Sequence, residues 1–336
     1  MYRSGIIGTG SYLPEKRETI EDFLKKGAAR EIIEKWGVFE HRVMGEGETV
    51  TDMEAKAAKV AIERAGLKPA DIELIIGITA LSEEVNPQNV CLTQYKIGAV
   101  NAASFQLDLS CCGAIPAMAV ANNFIALGQY KYILLVASCN LTQVSDDTDP
   151  ASFVVLGDGA SAIIMSPAED DRGVISFDLA TNGRFFGNCG IKVKRPKYFG
   201  GRSSYINPPS ERLLFFIDYD EKNPSSALNR YLIKSVPESV KRALKKANLR
   251  ADDIDWLIPH QNVTPLSGKW IELLGITKEK ACLTNHKYGN MSAANIWVNL
   301  DEAVQEDKIK DGDIVAFAGQ GSGFHVGSIV IRWGKL

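Results

Sequence analysis

A cysteine at the predicted junction of a strand and a helix is the first residue that could do chemistry. Residues 105–113 read FQLDLSCCG, and an apolar run over 114–127 follows. We predict a short buried strand that leads directly into a buried helix, with Cys111 at the N-terminus of that helix. The N–H groups and the positive dipole end of a helix stabilise an anion, so a thiol held there is expected to lose its proton more easily. Cys111 is therefore a candidate nucleophile.

Two polar groups in the second half of the chain could assist such a thiol. His260 directly follows a predicted buried strand at 256–258, which no other histidine of the chain does, and Asn290 precedes a predicted helix at 292–304. A cysteine nucleophile needs a nearby proton acceptor or ion-pair partner, and an amide can donate to an oxyanion. Each residue has an ordinary interpretation when taken alone, as a structural histidine and as a helix cap.

Two glycine-rich segments bear on ligand binding. Gly8-Thr9-Gly10 imitates a dinucleotide loop, but the third glycine is missing and Pro14 follows. Residues 319–324 (GQGSGF) lead into a predicted strand and not into a helix. Neither segment therefore predicts nucleotide binding. The second is better interpreted as backbone held close to a ligand.

Composition narrows the class of protein. The chain has 336 residues, a net charge of -3 and a mean hydropathy of -0.07, which predicts a globular protein with two packed units and argues against nucleic acid as its main partner. No apolar run approaches the roughly 20 residues of a membrane span, and the first residues do not read as a secretion signal, so we expect a cytoplasmic protein without a membrane partner. The six cysteines include no Cys-x-x-Cys pair, so neither a disulfide framework nor a metal site is predicted.

An internal repeat indicates that the chain contains two related halves. Residues 61–76 align with 243–258, and residues 133–138 align with 314–319, at offsets of 182 and 181. Each segment of the first pair reads as a helix end, a short polar loop and a buried strand. Continuous apolar strands at 72–78, 133–137, 256–258 and 314–318 alternate with helices at 52–65, 116–127, 237–247 and 292–304, which predicts an α/β protein with parallel strands. Reactive groups in such folds collect beyond the carboxyl ends of the strands.

Motifs along almost the whole chain resemble those of the thiolase-like condensing enzymes, and most closely the β-ketoacyl-acyl-carrier-protein synthase III family. The motifs are specific together although none is specific alone. They are WGVFEHR at 36–42, Cys111-x-Gly113, GDGA at 157–160, PHQ at 259–261, Gly289-Asn290-x-Ser292-Ala293-Ala294, LDEAV at 300–304 and GSGF at 321–324.

The resemblance implies a fold and a set of site residues. The fold is an α/β thiolase-like five-layer αβαβα sandwich of two duplicated halves, 1–170 with the nucleophilic cysteine and 171–336 with the histidine and asparagine, usually as a homodimer. The implied catalytic residues are Cys111, His260 and Asn290, with Cys112 as the nucleophile if the junction is shifted by one residue. The backbone N–H groups of Cys111 and Ser322 would form the oxyanion hole.

The implied reaction is a decarboxylative Claisen condensation of an acyl thioester with a malonyl thioester through an acyl-Cys111 intermediate. The substrates would be thioesters of coenzyme A or of the phosphopantetheine of an acyl-carrier protein, with a malonyl-carrier protein as the second partner. No metal or redox cofactor is implied. The pathway would be fatty-acid or polyketide biosynthesis.

The sequence departs from the family at the substrate entrance. Glu31 and Lys35 stand where the family has a tryptophan and an arginine that grip the adenine, and Pro265 replaces an arginine. Asn86 stands where the dimer partner usually inserts a phenylalanine, and the stretch 185–229 does not match the family pattern. We expect Lys35, Asn86 and Phe324 to contact substrate, and we expect a non-standard donor or acceptor.

Several alternatives use the same residues. The thiol could pass an acyl group to a hydroxyl or amine without forming a carbon–carbon bond. A reaction like that of hydroxymethylglutaryl-CoA synthase would need a carboxylate base, for which Glu83 and Glu84 lie in a suitable loop, although Asn86 occupies the expected position. A non-catalytic partner subunit, a Cys/His/Asn protease and simple core packing of both cysteines fit the motifs less well.

Overall fold

The computed structural model of this chain describes residues 3–84, 86–169, 171–193, 213–217 and 225–334. Its strands are β1 (Ser4–Tyr12), β2 (Arg17–Thr19), β3 (Glu40–Arg42), β4 (Leu74–Thr79), β5 (Ala103–Gln106), β6 (Ile133–Asn140), β7 (Asp158–Pro167), β8 (Gly173–Thr181), β9 (Cys189–Val193), β10 (Leu213–Ile217), β11 (Trp256–Pro259), β12 (Ile314–Gly321) and β13 (His325–Arg332). Its α-helices are α1 (Ile20–Lys25), α2 (Arg30–Trp36), α3 (Val50–Arg64), α4 (Asn89–Ile97), α5 (Ala114–Ala126), α6 (Pro150–Val155), α7 (Ala227–Lys246), α8 (Thr264–Leu274), α9 (Asn285–Tyr288) and α10 (Ala294–Gln305).

Two mixed sheets organise the described residues. The first has the strand order β1-β7-β6-β4-β5 and the second has the order β11-β12-β13-β8. The strands predicted to be parallel are parallel, because β4 pairs with β6 and β11 pairs with β12 in that sense. In the first sheet β7 pairs with β6 in the antiparallel sense, and in the second sheet β13 pairs with β12 in the same way.

Three hydrophobic cores stack the sheets and helices into five layers. Helices α3 and α4 cover the outer face of the first sheet. Helices α5 and α10 lie between the two sheets, where Trp297 and Met118 are fully buried. Helices α7 and α8 cover the outer face of the second sheet. The order is therefore helix, sheet, helix, sheet, helix, which confirms the predicted αβαβα sandwich.

The predicted repeat has the same local structure in both copies. Two residues after the end of each of helices α3 and α7, the chain adopts a positive φ, at Gly66 (+66°) and at Asn248 (+57°). A short 3₁₀ turn follows in each copy, and then β4 or β11 begins. The division into two halves near residue 170 stays a prediction. It falls between the end of β7 in the first sheet and the start of β8 in the second.

The junction before α5 differs from the prediction of a buried strand leading directly into a helix. Strand β5 lies at the edge of its sheet and is at most half-buried. A 3₁₀ turn, Ser110–Cys112, separates β5 from α5, and Ser110 adopts a φ of +49°. Cys111 therefore lies in this turn, three residues before the helix begins.

None of the described helices is both long and apolar enough to span a membrane.

Candidate active site

Cys111 and Cys112 occupy different environments within the 3₁₀ turn. The Cys111 sulfur lies 3.4 Å from the hydroxyl of Ser292, and 8% of the residue is exposed. Cys112 is 1% exposed, belongs to the central core and directs its thiol at the carbonyl of Gly319. Of the two thiols, Cys111 is thus the one that faces other polar groups of the site.

The end of β12 approaches the turn very closely. A Cβ atom on Gly321 would lie 2.9 Å from the backbone nitrogen of Cys111 and 2.7 Å from that of Cys112. Only glycine allows this approach without movement of the backbone. The backbone N–H groups of Cys111 and Ser322 both act to lower the pKa of the Cys111 thiol, so both lie near its sulfur. These are the two donors expected for the oxyanion hole.

The expected lowering of the Cys111 pKa is wrong for the ligand-free structure. Burial is the largest influence and raises the pKa of the thiol, while the hydroxyl of Ser292 and the two backbone N–H groups oppose it without overcoming it. The cause is the position of Cys111, which is enclosed by protein and lies outside the first helical turn. Burial disfavours the charged form of an acid.

His260 enters the site directly from the end of β11, as predicted. Its backbone N–H donates to the carbonyl of Ala318, and the residue is completely buried. Burial lowers the pKa of His260 to about 3, whereas the backbone of Ser292 acts in the opposite direction. The imidazole is therefore neutral at neutral pH and can donate from one nitrogen.

Neither ring nitrogen of His260 makes a hydrogen bond to any described residue. A buried polar atom that lacks a partner is costly and needs an explanation, for which a catalytic role is one accepted reason. These nitrogens are groups that a substrate oxygen can satisfy.

Asn290 is anchored on both sides by backbone. Its N–H donates to the carbonyl of Val155 at 2.7 Å, and its carbonyl accepts from Gly157 at 3.1 Å. The side-chain oxygen accepts from the N–H of Ser292 at 2.9 Å, which orients the amide. The residue is 5% exposed.

Ser292 connects the three predicted catalytic residues, and the sequence analysis assigned it no role. Its hydroxyl contacts Cys111, its N–H donates to the Asn290 side chain, and its backbone influences the pKa of His260. The structure thus brings Cys111, His260 and Asn290 to one place from three segments. The only signal for Ser292 in the sequence was its position in the motif that contains Asn290.

Two of the residues expected to contact substrate, Lys35 and Asn86, are exposed. Lys35 is exposed on α2, with its ammonium 5.1 Å from the centre of the Trp36 ring. The end of α2 contacts the start of α8, because Thr264 Oγ1 donates to the carbonyl of Gly37. Asn86 is exposed in the loop before α4. A role for either residue in binding substrate stays a prediction.

Phe324 is buried in an aromatic cluster behind the oxyanion loop. Its ring centre lies 5.5 Å from that of Phe185 and 6.1 Å from that of Tyr231, whose hydroxyl donates to the Phe324 carbonyl. These contacts support the loop that carries Ser322. Contact of Phe324 with substrate stays a prediction.

The stretch 185–229, which was expected to cover the entrance, is only partly described, because 194–212 and 218–224 lie outside the described residues. Its described part includes the hairpin of β9 and β10. The hairpin reaches the site at Cys189, whose thiol lies 3.2 Å from the hydroxyl of Ser322. Burial raises the pKa of Cys189 to about 12, so this second thiol is protonated at neutral pH.

Comparison with known proteins agrees with this architecture. Family models described as 3-oxoacyl-[acyl-carrier-protein (ACP)] synthase III match residues 105–183, and the corresponding C-terminal model matches 244–333. The chain is 34% identical to the β-ketoacyl-[acyl-carrier-protein] synthase III of Natranaerobius thermophilus, over 99% of this chain and 100% of that protein.

Solved structures give the same result. The 3-oxoacyl-[acyl-carrier-protein] synthase III of Aquifex aeolicus is 28% identical, with a TM-score of 0.85 over 98% of this chain and 100% of that one. A priming β-ketosynthase from a polyketide biosynthetic pathway shares the fold with a TM-score of 0.89 at 24% identity, over 99% of this chain and 97% of that one.

The five layers and the cysteine site define a thiolase-fold condensing enzyme, which is an acyltransferase. The similarity over the full length is more specific than the fold. The chain belongs to the β-ketoacyl-[acyl-carrier-protein] synthase III family.

Proposed function

We propose that this enzyme joins an acyl group held on Cys111 to a malonyl thioester, with loss of carbon dioxide. The observation that carries the proposal is the position of the Cys111 sulfur, which lies near two backbone N–H donors and the hydroxyl of Ser292. Two donors directed at one point suit the oxyanion of a tetrahedral intermediate. The neutral ring of His260 and the anchored amide of Asn290 supply further donors.

In the first half-reaction the Cys111 sulfur attacks the carbonyl carbon of an acyl thioester. The oxyanion that forms is held by the N–H groups of Cys111 and Ser322. Collapse of this intermediate breaks the carbon–sulfur bond of the substrate, and the proton of Cys111 ends on the departing thiol of coenzyme A or phosphopantetheine. The raised pKa of Cys111 means that substrate binding has to promote removal of this proton.

In the second half-reaction a malonyl thioester replaces the departing thiol. His260 Nε2–H and the Asn290 amide donate to its thioester oxygen and stabilise the enolate that forms when carbon dioxide leaves. The enolate carbon attacks the acyl-Cys111 carbonyl, and expulsion of the Cys111 thiolate completes the new carbon–carbon bond. Thioester and side chains supply every group that these steps use, so the proposal involves no resident cofactor.

Intact-protein mass spectrometry after exposure to a panel of acyl-CoA and acyl-carrier-protein thioesters tests the first half-reaction. We expect a mass increase equal to one acyl group, lost in Cys111→Ala and kept in the matched control Cys112→Ala. Acylation that persists in Cys111→Ala would refute the assignment. Carbon dioxide release from malonyl thioester then separates condensation from acyl transfer to a hydroxyl or amine.

Entrance residues support a donor other than acetyl-CoA. Lys35 lies beside Trp36 where the family has an arginine, and Pro265 lies at the start of α8 where it has another. We expect slow acylation by acetyl-CoA compared with at least one longer or carrier-bound donor. Ordinary turnover with acetyl-CoA would contradict this part of the proposal.

The alternative that resembles hydroxymethylglutaryl-CoA synthase receives little support. Glu83 Oε1 accepts from the backbone N–H of Thr51 at 2.7 Å, at the start of α3. This bond directs the carboxylate at the N-terminus of α3, so its oxygen is already engaged by the backbone.

An acidic carrier protein has a matching surface next to the site. The groove in front of the Phe324 cluster is lined by Arg184, Arg230 and Lys234, with Phe185 and Tyr231 among its walls. Carrier-bound malonate would present a negatively charged partner to these cations, and charge complementarity mainly increases the association rate. Lys234→Glu is expected to raise KM for malonyl-carrier protein but not for malonyl-CoA, whereas Lys59→Glu on the far outer helix is expected to raise neither.

The homodimer stays part of the proposal. Strand β5 lies at one end of the first sheet, where no other described strand pairs with its outer edge, and α4 beside it exposes 42% of Leu92 and 79% of Tyr95. Ser104 of β5 lies 3.9 Å from Cys91 of α4, so strand and helix form one surface. A second copy of the chain would cover this surface and bring its own Asn86 loop near the first copy. Light scattering is expected to give twice the chain mass, and Tyr95→Glu is expected to shift the protein towards monomer.

A further inference from the structure

His41 is a buried histidine that the proposed mechanism does not use. It lies on β3 opposite Glu18 of β2, and 1% of it is exposed. Its Nε2 lies 3.2 Å from a carboxylate oxygen of Glu18, and its Nδ1 lies 3.3 Å from the carbonyl oxygen of Val154. Both neighbours are acceptors, so the ring can satisfy both only when each nitrogen carries a hydrogen.

The groups around His41 are mostly acidic. Lys26 donates to the same Glu18 oxygen at 2.5 Å, and the ring of Phe23 packs 5.0 Å from that of His41. The hydrogen bond from His41 is the largest cause that lowers the pKa of Glu18 to about 2. The buried carboxyl of Asp158 also faces the ring, and His41 opposes the rise that burial causes in its pKa. His41 therefore lies among two carboxyls and one ammonium.

The bond from His41 to Val154 leads directly to the backbone that holds Asn290. The next carbonyl, that of Val155, accepts the N–H of Asn290, and Gly157 donates to the Asn290 carbonyl. The backbone of residues 154–157 therefore contacts His41 on one side and forms hydrogen bonds to Asn290 on the other.

His41 also packs against both backbone segments at this place. A Cβ atom on Gly157 or on Gly289 would lie 3.3 Å from the Cβ of His41. Gly289 immediately precedes Asn290 and adopts a φ of +67°. His41 therefore packs closely against the backbone on both sides of the Asn290 pairing.

We propose that His41 is a positioning residue for the second half-reaction, which holds the Asn290 amide in place by bridging Glu18 and Val154. The proposal rests on the assignment of Asn290 to the malonyl thioester. The role is specific to one half-reaction, because the contacts of His41 lead to the Asn290 segment, whereas Cys111 is held by the 3₁₀ turn and by β12.

The two half-reactions provide the test. In His41→Gln the side chain can no longer donate on both sides, so decarboxylation of malonyl thioester is expected to fall about 10- to 100-fold, as for a misplacement near 1 Å. Acylation of Cys111, followed by intact-protein mass, is expected to remain near the rate of the unaltered enzyme. Glu18→Ala removes the acceptor at the other end of the bridge and is expected to give the same split.

His286→Gln is the matched control, because it changes another histidine of the neighbouring segment and is expected to preserve both rates. His41→Arg supplies N–H donors towards both acceptors and is expected to restore part of the decarboxylation rate. Equal loss of both half-reactions, or no loss of decarboxylation, in His41→Gln and Glu18→Ala would overturn the proposal. Absence of malonyl decarboxylation in the unaltered enzyme would refute the proposed function instead.

Discussion

At the scale of single residues, His260 illustrates how burial determines the chemistry that a side chain can offer. Its pKa is lowered to about 3, so the imidazole is neutral above that pH and becomes charged only below it. A neutral ring can donate one N–H to an enolate oxygen without an initial proton transfer. Its nitrogens have no partners among the described residues, so they are available when the malonyl thioester arrives.

The first prediction concerns the pH dependence of the second half-reaction. Decarboxylation of malonyl thioester should be nearly constant from pH 8 to pH 5 and should fall only as the pH approaches 3, because the neutral ring persists across that range. Stopped assays of carbon dioxide release would measure the profile. His260→Ala should lower the rate about 10²–10³-fold and leave acylation of Cys111 largely intact. A steep loss of rate near pH 6.5 would contradict the neutral ring.

The second prediction concerns Ser292. Its hydroxyl lowers the pKa of Cys111, so Ser292→Ala should raise that pKa further and reduce the thiolate fraction at a given pH. One hydrogen bond of about 1 kcal/mol corresponds to roughly a fivefold slower acylation at pH 7. Ser267→Ala is the matched control, since Ser267 is a buried serine whose hydroxyl has no partner in the described part of the chain. Equal acylation rates in the two variants would show that the Ser292 contact has no effect.

Individual site residues were predictable from the sequence only where they follow a strand or belong to a motif. His260 follows β11 and Cys111 precedes α5, so the rule for strand ends and the resemblance both indicated them. Ser292 and His41 depend on contacts between residues 181 and 113 positions apart, which no local pattern reveals. The predicted direction of the Cys111 pKa shift was wrong, because the burial that raises this pKa is a property of the folded chain.

At the scale of elements, the approach of β12 to the 3₁₀ turn Ser110–Cys112 is the contact on which the proposed oxyanion hole depends. Backbone nitrogens of Cys111 and Cys112 lie within 3 Å of where a Cβ on Gly321 would be, so there is no flexible side chain to yield. The strand itself was predicted at 314–318, and the structure extends it to Gly321. The hairpin of β9 and β10 was not predicted, because 185–229 lacks a clear period in its apolar residues.

The third prediction tests this contact. Gly321→Ala should separate β12 from the turn, cost about 1–3 kcal/mol of stability and strongly slow acylation, since one oxyanion donor moves. Gly268→Ala provides the control, because Gly268 lies in α8 and an added Cβ meets nothing within 4 Å. This control should be neutral or more stable by up to about 1 kcal/mol. Acylation at the unaltered rate in Gly321→Ala would contradict the proposed geometry.

At the scale of the whole molecule, a buried carboxylate joins the central helices to the first sheet. Asp301 of α10 accepts from Thr9 at 2.7 Å and from Ser11 at 2.6 Å, both on β1. It also accepts from Arg64 at the end of α3 at 2.6 Å. One side chain therefore links three adjacent layers of the sandwich. The layer order followed from the family resemblance, but this link did not, because its partners are about 240 to 290 residues apart.

The fourth prediction follows from that link. Asp301→Ala should lower the free energy of unfolding by roughly 2–4 kcal/mol, because two largely buried hydroxyls and a guanidinium lose their acceptor. Unfolding in urea, monitored by circular dichroism, would measure the change. Asp252→Ala is the control, because its side chain is 81% exposed and its loss should cost less than about 0.5 kcal/mol. A similar loss in both variants would argue against the link.

Burial of Cys111 also affects the enzyme between turnovers. The thiolate form of cysteine reacts with peroxide and other electrophiles, and oxidation of cysteine to sulfenic acid starts from this form. Burial raises the pKa of Cys111 and so favours its protonated form. We therefore expect peroxide to convert Cys111 to sulfenic acid more slowly than it converts an exposed cysteine such as Cys91.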